Sequence, residues 1–222
     1  MKTRLKIDFV SDVSCPWCVI GLRGLETALA SAGDAVEADI VFQPFELNPD
    51  MVPEGENIVE HIGRKYGSTP EQSAASRAMI RDRGAGLGFT FAMSDQSRIY
   101  NTFDAHRLLH WAKATDQQKA LKTALFEAYF TDGRDPSDRD VLIATVAKAG
   151  LDPDAAGEVL SSGRYGDEVR DAERLWQSRG ISAVPAVVVN DRYLISGGQP
   201  PEAFEEALRN IAAEGADRAD MA

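Results

Sequence analysis

The chain has 222 residues, 44 % apolar and 27 % charged, with a formal net charge of −11 from 24 basic and 35 acidic side chains. Length and composition suit a soluble globular protein of one large domain, or of a domain with an insertion. An acidic chain without a Lys/Arg stripe excludes a nucleic-acid partner or an anionic lipid surface, because both need clustered cations.

The N-terminal stretch MKTRLKIDFVSDVSC lacks the apolar core of a signal peptide, and no apolar run approaches the length of a membrane span. The expected compartment is therefore the cytoplasm, where thiols stay reduced. Leu5, Ile7, Phe9 and Val10 alternate partly with polar residues and read as a first strand. SDVSCPWCVIG then opens a helix that runs to about Ala32 and ends at Gly33. Residues 38–45, ADIVFQPF, read as a second strand, so the chain begins with a βαβ unit.

From Asn57 to about Gly180 the pattern is helical. Thr69-Pro70-Glu71-Gln72 carries a capping-box start. Phe103, Leu108 and Trp111 mark one helix face, and Leu121, Leu125 and Tyr129 mark the next, ended by Asp132-Gly133. Ser137 is read as the cap of a helix bearing Val141, Leu142, Thr145 and Val146, and Asp152-Pro153 opens a short one. Val169, Leu175 and Trp176 lie on a last helix that stops at Gly180. Residues 186–189 and 192–195 then form a hairpin across Asn190-Asp191. Residues 201–213 form a helix with Phe204, Leu208 and Ile211 inward, and EGADRADMA reads as a frayed end.

Cys15 and Cys18 are the chain's only cysteines, and they stand in CPWC. They read as a redox dithiol, half of a metal site, or a structural accident. In a βα turn, Cys15 sits at the helix start with Pro16 at the first helical position. Free N–H groups and the positive end of the helix dipole there favour negative charge on its sulfur. Cys18 lies one turn further on, within reach to resolve a mixed disulfide. Such a CxxC beside a βαβ pattern is the spacing of a redox motif. Pro185 precedes a β-rich run and suits a strand start; the Val184–Pro185 bond is cis or trans on this stretch alone. A Cys₂His₂ metal module would need His106 and His110, at i, i+4, to join the distant CxxC, which is far from zinc-finger spacing. No metal is expected, and no Walker loop or GxGxxG points to a nucleotide. Trp17 lies beside both sulfurs and reads as shaping the redox pair in preference to merely covering the helix start. Trp111 and Trp176 are packing residues, Asp12 reads as a solvated turn residue in preference to a helix-proximal acid tuning the thiols, and Gly197-Gly198 gives backbone room between the last strand and the last helix. His61 has no evident role.

CPWC after a first strand and VP before a later one resemble the thioredoxin superfamily, and the helical block resembles its DsbA-like branch. PFELNP at 44–49, NTFDAHRLLHW at 101–111, LFEAYFTDGRDPSD at 125–138 and GISAVPAVVVNDRYLISGGQP at 180–200 look like the FrnE-like dithiol oxidoreductases. The resemblance implies an α/β thioredoxin fold with a large all-helical insertion. Its domains would be residues 1–56 with 179–222, and 57–178 as the insertion. It further implies Cys15 as nucleophile, Cys18 as resolving thiol, Pro185 as the cis-proline, and Pro16, Trp17, Val184 and Pro185 against the substrate. Asn101 and His106 would face the dithiol cleft. Some members carry a second cysteine pair near the C-terminus, and this chain has none. CPWC also lacks the intervening His of strongly oxidising relatives, which places its potential nearer the reducing side. The expected partner is a protein or small-molecule disulfide or dithiol, with no resident cofactor, glutathione open as co-substrate and a homodimer left open. Glutathione-dependent isomerases and kappa-class transferases share the architecture; there the position of Cys15 is typically Ser.

Overall fold

The computed structural model describes residues 2–219. The chain opens with β1 (Thr3–Ser11), α1 (Pro16–Ala32) and β2 (Val36–Pro44). Next come β3 (Glu56–Asn57), α2 (Ile58–Tyr66), α3 (Pro70–Gly86), β4 (Arg98–Ile99), α4 (Phe103–Trp111) and α5 (Gln118–Phe126). A wide π-type turn (Glu127–Thr131) leads to α6 (Arg139–Lys148), α7 (Pro153–Ser162) and α8 (Gly166–Ser178). The hairpin β5 (Ala186–Val189) and β6 (Tyr193–Ser196) and the helix α9 (Pro201–Ala219) complete it.

Four strands form one sheet in the order β2-β1-β5-β6. β1 pairs parallel with β2 from Thr3↔Val36 to Ser11↔Pro44, and antiparallel with β5 from Ile7↔Val189 to Val10↔Ala186. Side chains alternate across a strand, and this separates two cores. Leu5, Ile7 and Phe9 meet Val187 and Val189 with Leu22 and Leu25 of α1 and Phe204 and Leu208 of α9. Val10 and Ala186 face the other way, against Phe45, Trp176 and Ile181. A third core joins Val13 to α4, α5, α6 and α7 through Leu108, Leu121, Leu125, Leu142 and Val159. The α/β thioredoxin fold thus stands, with the sheet strands at the two ends of the chain and helices between them. The regular elements between are helices, apart from the short ribbon in which Glu56 pairs with Ile99.

Local signals decide most boundaries. Both bonds of the capping box form: Gln72 N–H donates to Thr69 Oγ1 at 3.3 Å, and Thr69 N–H donates to Gln72 Oε1 at 2.9 Å. Asn190 and Asp191 take φ of 52° and 55°, the pair of left-handed conformations that a two-residue hairpin turn requires. The cap of α6 differs from the reading above. Asp138, not Ser137, accepts the Val141 N–H at 2.9 Å, because the Ser137 hydroxyl is committed to Asp135 at 2.6 Å. On α8, Leu175 points outward, 46 % exposed, while Val169 and Trp176 are buried. The expected frayed end is helical through Ala219, and residues 220–222 lie outside those described. Among the described residues, no helix is long and apolar enough to cross a membrane.

Candidate active site

β1 delivers the chain to a turn, Asp12 to Ser14, and Cys15 then takes the N-cap position of α1 in an extended conformation, φ −95° and ψ 112°. Pro16 follows inside the helix, where its missing N–H costs nothing. The Cys18 N–H donates to the Cys15 carbonyl at 3.0 Å. Both thiols are unbridged. Both are buried, at 3 % and 0 % exposure, but Cys15 lines a cleft of about 710 Å³ and Cys18, one turn below, does not. Burial pushes the Cys18 thiol well above its ordinary range, and the adjoining Cys15 adds to this, while Lys122 and the Asp12 backbone oppose it.

Pro16, Trp17 and Val184 line the same cleft as Cys15. The Val184–Pro185 peptide is cis, and the Cys15 thiol donates to the Val184 carbonyl with Sγ···O at 3.6 Å. Pro185 itself is buried behind Val184 and does not line the cleft. It packs against α1, where a Cβ added to Gly21 would meet the proline ring at 2.9 Å. Gly198 gives similar room: a Cβ there would come within 2.9 Å of the Trp17 carbonyl. The far wall is apolar, from Ile58, Ile62, Ile80 and Met93, with Lys65 and Arg77 among it.

Asp12 overturns the reading of a solvated turn residue. It is 0 % exposed, because residues far along the chain cover it. Its Oδ2 accepts the Leu47 N–H at 2.7 Å and the Ser14 hydroxyl at 3.1 Å, and its Oδ1 lies 3.5 Å from His106 Nε2. Burial alone would raise this carboxyl, but the His106 pairing, the Leu47 amide and the Thr102 hydroxyl outweigh it and hold it at about 2. His106 therefore serves Asp12 behind the dithiol and does not line the cleft. Asn101 does not line it either. Its Oδ1 accepts the Phe103 N–H at 2.8 Å, and its Nδ2 donates to Glu46 at 3.3 Å.

His110 stacks on Tyr165 with ring centroids 5.3 Å apart, so CxxC, His106 and His110 do not converge as one ligand set. Among the described residues no three His, Cys, Asp or Glu side chains do. His61 has a structural role: its Nδ1 meets Glu56 at 2.6 Å and its Nε2 meets Asn48 at 2.9 Å, fastening the cleft wall. Sequence reading passed over Glu46, a cleft residue ion-paired with Arg170. Burial, then the charge of Glu173, pushes its carboxyl up to about 7. It also passed over Lys122, a lysine with 0 % exposure.

The chain is similar throughout its length to known proteins. The uncharacterized protein YwbO of Bacillus subtilis (strain 168) is 25 % identical over 209 residues, covering 94 % of this chain and 96 % of that one. The crystal structure of a probable DsbA oxidoreductase, SCO1869 from Streptomyces coelicolor, superposes with a TM-score of 0.87 at 32 % identity, over 93 % of this chain and 89 % of that one. A 2-hydroxychromene-2-carboxylate isomerase shares the fold at 17 % identity, TM-score 0.71, over 96 % of this chain and 98 % of its own. The chain belongs to the DSBA-like thioredoxin domain family, which matches residues 6–209.

Proposed function

We propose that the protein is a thiol–disulfide oxidoreductase working through Cys15 and Cys18, with Cys15 as nucleophile and Cys18 as resolving thiol. The split in access carries this reading: a substrate entering the cleft meets Cys15, and Cys18 is out of its reach. The Cys15 thiolate attacks R–S–S–R′, the S–S bond breaks, and R′–S⁻ leaves and takes a proton from solvent. Cys18, deprotonated, then attacks the Cys15 sulfur of Cys15–S–S–R, forming the Cys15–Cys18 disulfide and releasing R–S⁻. Run in reverse, a thiol such as glutathione returns two electrons to the pair, so the chemistry calls for no resident cofactor. Pro16, Trp17 and Val184 lie where the substrate would sit, and the Val184 backbone offers it a strand-like edge.

A glutathione-dependent isomerase or kappa-class-like transferase is the second reading. A cleft of about 710 Å³, the size of a small-molecule site, favours it. The dithiol favours the first. Cys18→Ser incubated with a disulfide substrate should accumulate a mixed disulfide on Cys15, visible by intact mass, and Cys15→Ser should abolish exchange. Alkylation at pH 6 should label Cys15 far faster than Cys18. Exchange that survives in Cys15→Ser, or an adduct on Cys18, would overturn the assignment.

A further inference from the structure

Lys122 is buried in a way that helix formation does not explain. It is 0 % exposed on α5, and its ammonium has no hydrogen-bond partner among the described residues. Its Nζ lies 4.8 Å from the centroid of the Phe126 ring, a contact far weaker than a carboxylate would give. Leucine or methionine would form the helix as well and fill the same space without burying a charge. Phe126 belongs to the same buried cluster as Cys15 and Cys18. The groups whose charge acts on Lys122 are Cys18, then Asp12, then Cys15.

The other polar groups around the dithiol are committed. Asp12, on the β1–α1 turn, is held by the Leu47 amide, by Ser14 and by His106 of α4. The Tyr129 hydroxyl donates to the Arg98 carbonyl at 2.9 Å. Glu46 is tied to Arg170 and Asn101. On α5 itself, Lys119 turns outward to Glu26 at 2.8 Å. Among these, only Lys122 is a cation with no hydrogen-bond partner, although the Asp12 charge acts on it. A second anion arises when Cys18 ionises.

We propose that Lys122 is the counter-charge for the Cys18 thiolate in the resolving step, a positioning residue supplied to the dithiol by the inserted helices. This rests on the exchange reaction proposed above. In that step Cys18–SH gives its proton to solvent, and its thiolate forms beside the Lys122 ammonium. The thiolate attacks the Cys15 sulfur, the Cys15–S–S–R bond breaks as the Cys15–Cys18 bond forms, and R–S⁻ leaves to be protonated by solvent. Lys122 keeps its proton throughout. Its ordinary range is lowered to about 8, by burial first, with Cys18, Asp12 and Cys15 pulling the other way, so it is still mostly charged at neutral pH. A cation in a low-dielectric core stabilises a neighbouring thiolate far more than one in water does.

The test reads the two steps separately. Mixing the reduced protein with excess Ellman's reagent should release thionitrobenzoate in two phases, the first from attack by Cys15 and the second from attack by Cys18. Lys122→Met should leave the first phase within about two-fold, slow the second at least ten-fold at pH 7, and move its pH midpoint up by about one unit or more. A second phase unchanged in rate and pH profile overturns the proposal. Should the Met variant not fold, lysine-selective NMR of the native chain decides. The Lys122 signal should titrate with Cys18 and shift in Cys18→Ala, and a signal indifferent to that replacement overturns the proposal. Absence of the first phase in the native protein would instead sink the exchange reading, and the NMR result would still decide whether Lys122 and Cys18 are coupled.

Discussion

The parts of the molecule that meet at the dithiol are made of different material. The sheet with α1 and α9 is an apolar wedge: Phe9, Leu22, Leu25, Phe204 and Leu208 share one apolar cluster with Cys18. The inserted helices and the loops that join them bring polar side chains to the same place. His106 reaches Asp12, Arg170 reaches Glu46, and Lys122 is buried with no hydrogen-bond partner among the described residues. Apolar packing is non-directional and fixes where the sulfurs sit. Buried charge is directional and expensive, and it fixes what protonation states the sulfurs can take. The comparison teaches that position and reactivity have separate owners in this fold, so they should fail separately.

The largest expected effect comes from breaking the wedge. Phe204 is 0 % exposed, and a Cβ at Gly24 would lie 3.5 Å from its ring and 2.8 Å from the Gln199 carbonyl, so α1 packs closely where α9 begins. Phe204→Ala leaves a cavity and should cost about 3–5 kcal/mol in urea unfolding. Disulfide exchange per folded molecule should stay within a few-fold of the native rate. Loss of exchange in a variant shown to remain folded would mean that this core tunes the sulfurs as well as placing them.

A smaller effect should come from the polar side. Asp12 is held at about 2 in the fold, against 3.8 for an ordinary aspartate. A carboxylate lowered in the folded state adds stability that is complete above the unfolded value and is lost as pH falls toward the folded one. Asp12→Asn should therefore cost about 2 kcal/mol at pH 7. The gap between variant and native should be roughly halved by pH 3, because the native protein then loses the same interaction. A gap independent of pH, measured by urea unfolding at both values, would show that shape and not charge is what Asp12 provides.

The same division explains what the sequence reveals. The strands, the capping box at Thr69, the Asn190-Asp191 turn and the dithiol at a helix start are local, each settled within a few residues. CPWC and the motif order were sufficient for the family. SDVS is a turn by every local rule, but the environment of Asp12 comes from Leu47 and His106, brought in by other elements. The resemblance implies Asn101 and His106 in the dithiol cleft, and neither lines it: Asn101 is bonded to Glu46, and His106 reaches Asp12. Ser137 and Asp138 are both good caps, and only the hydrogen bond from Ser137 to Asp135 decides between them. Leu175 and Trp176 are adjacent, so one of them had to face water; the larger side chain took the core. Lys122 gave no signal, since KALKTALF reads as an ordinary amphipathic helix with lysines outward. Partners distant in sequence were what local pattern could not supply.

The smallest effect sharpens the comparison at the boundary itself. The Arg83 guanidinium, on α3, lies 5.1 Å from the centroid of the Trp17 ring, beside Cys15. Arg83 is exposed, and α3 is held independently of it, because Gly84 packs so tightly on Phe91 that an added Cβ would lie 2.4 Å from the ring. An exposed cation over an indole contributes about 0.5–1 kcal/mol. Arg83→Ala should therefore cost no more than about 1 kcal/mol and change the Trp17 emission, which reads the ring's surroundings directly. Because Arg83 is screened by water and Lys122 is not, the rate of the Cys18 step should be unaffected by the first and sensitive to the second. A ten-fold loss in that step for Arg83→Ala would move control of reactivity from the buried cation to the cleft rim, and the division drawn between the two regions would have to be redrawn there.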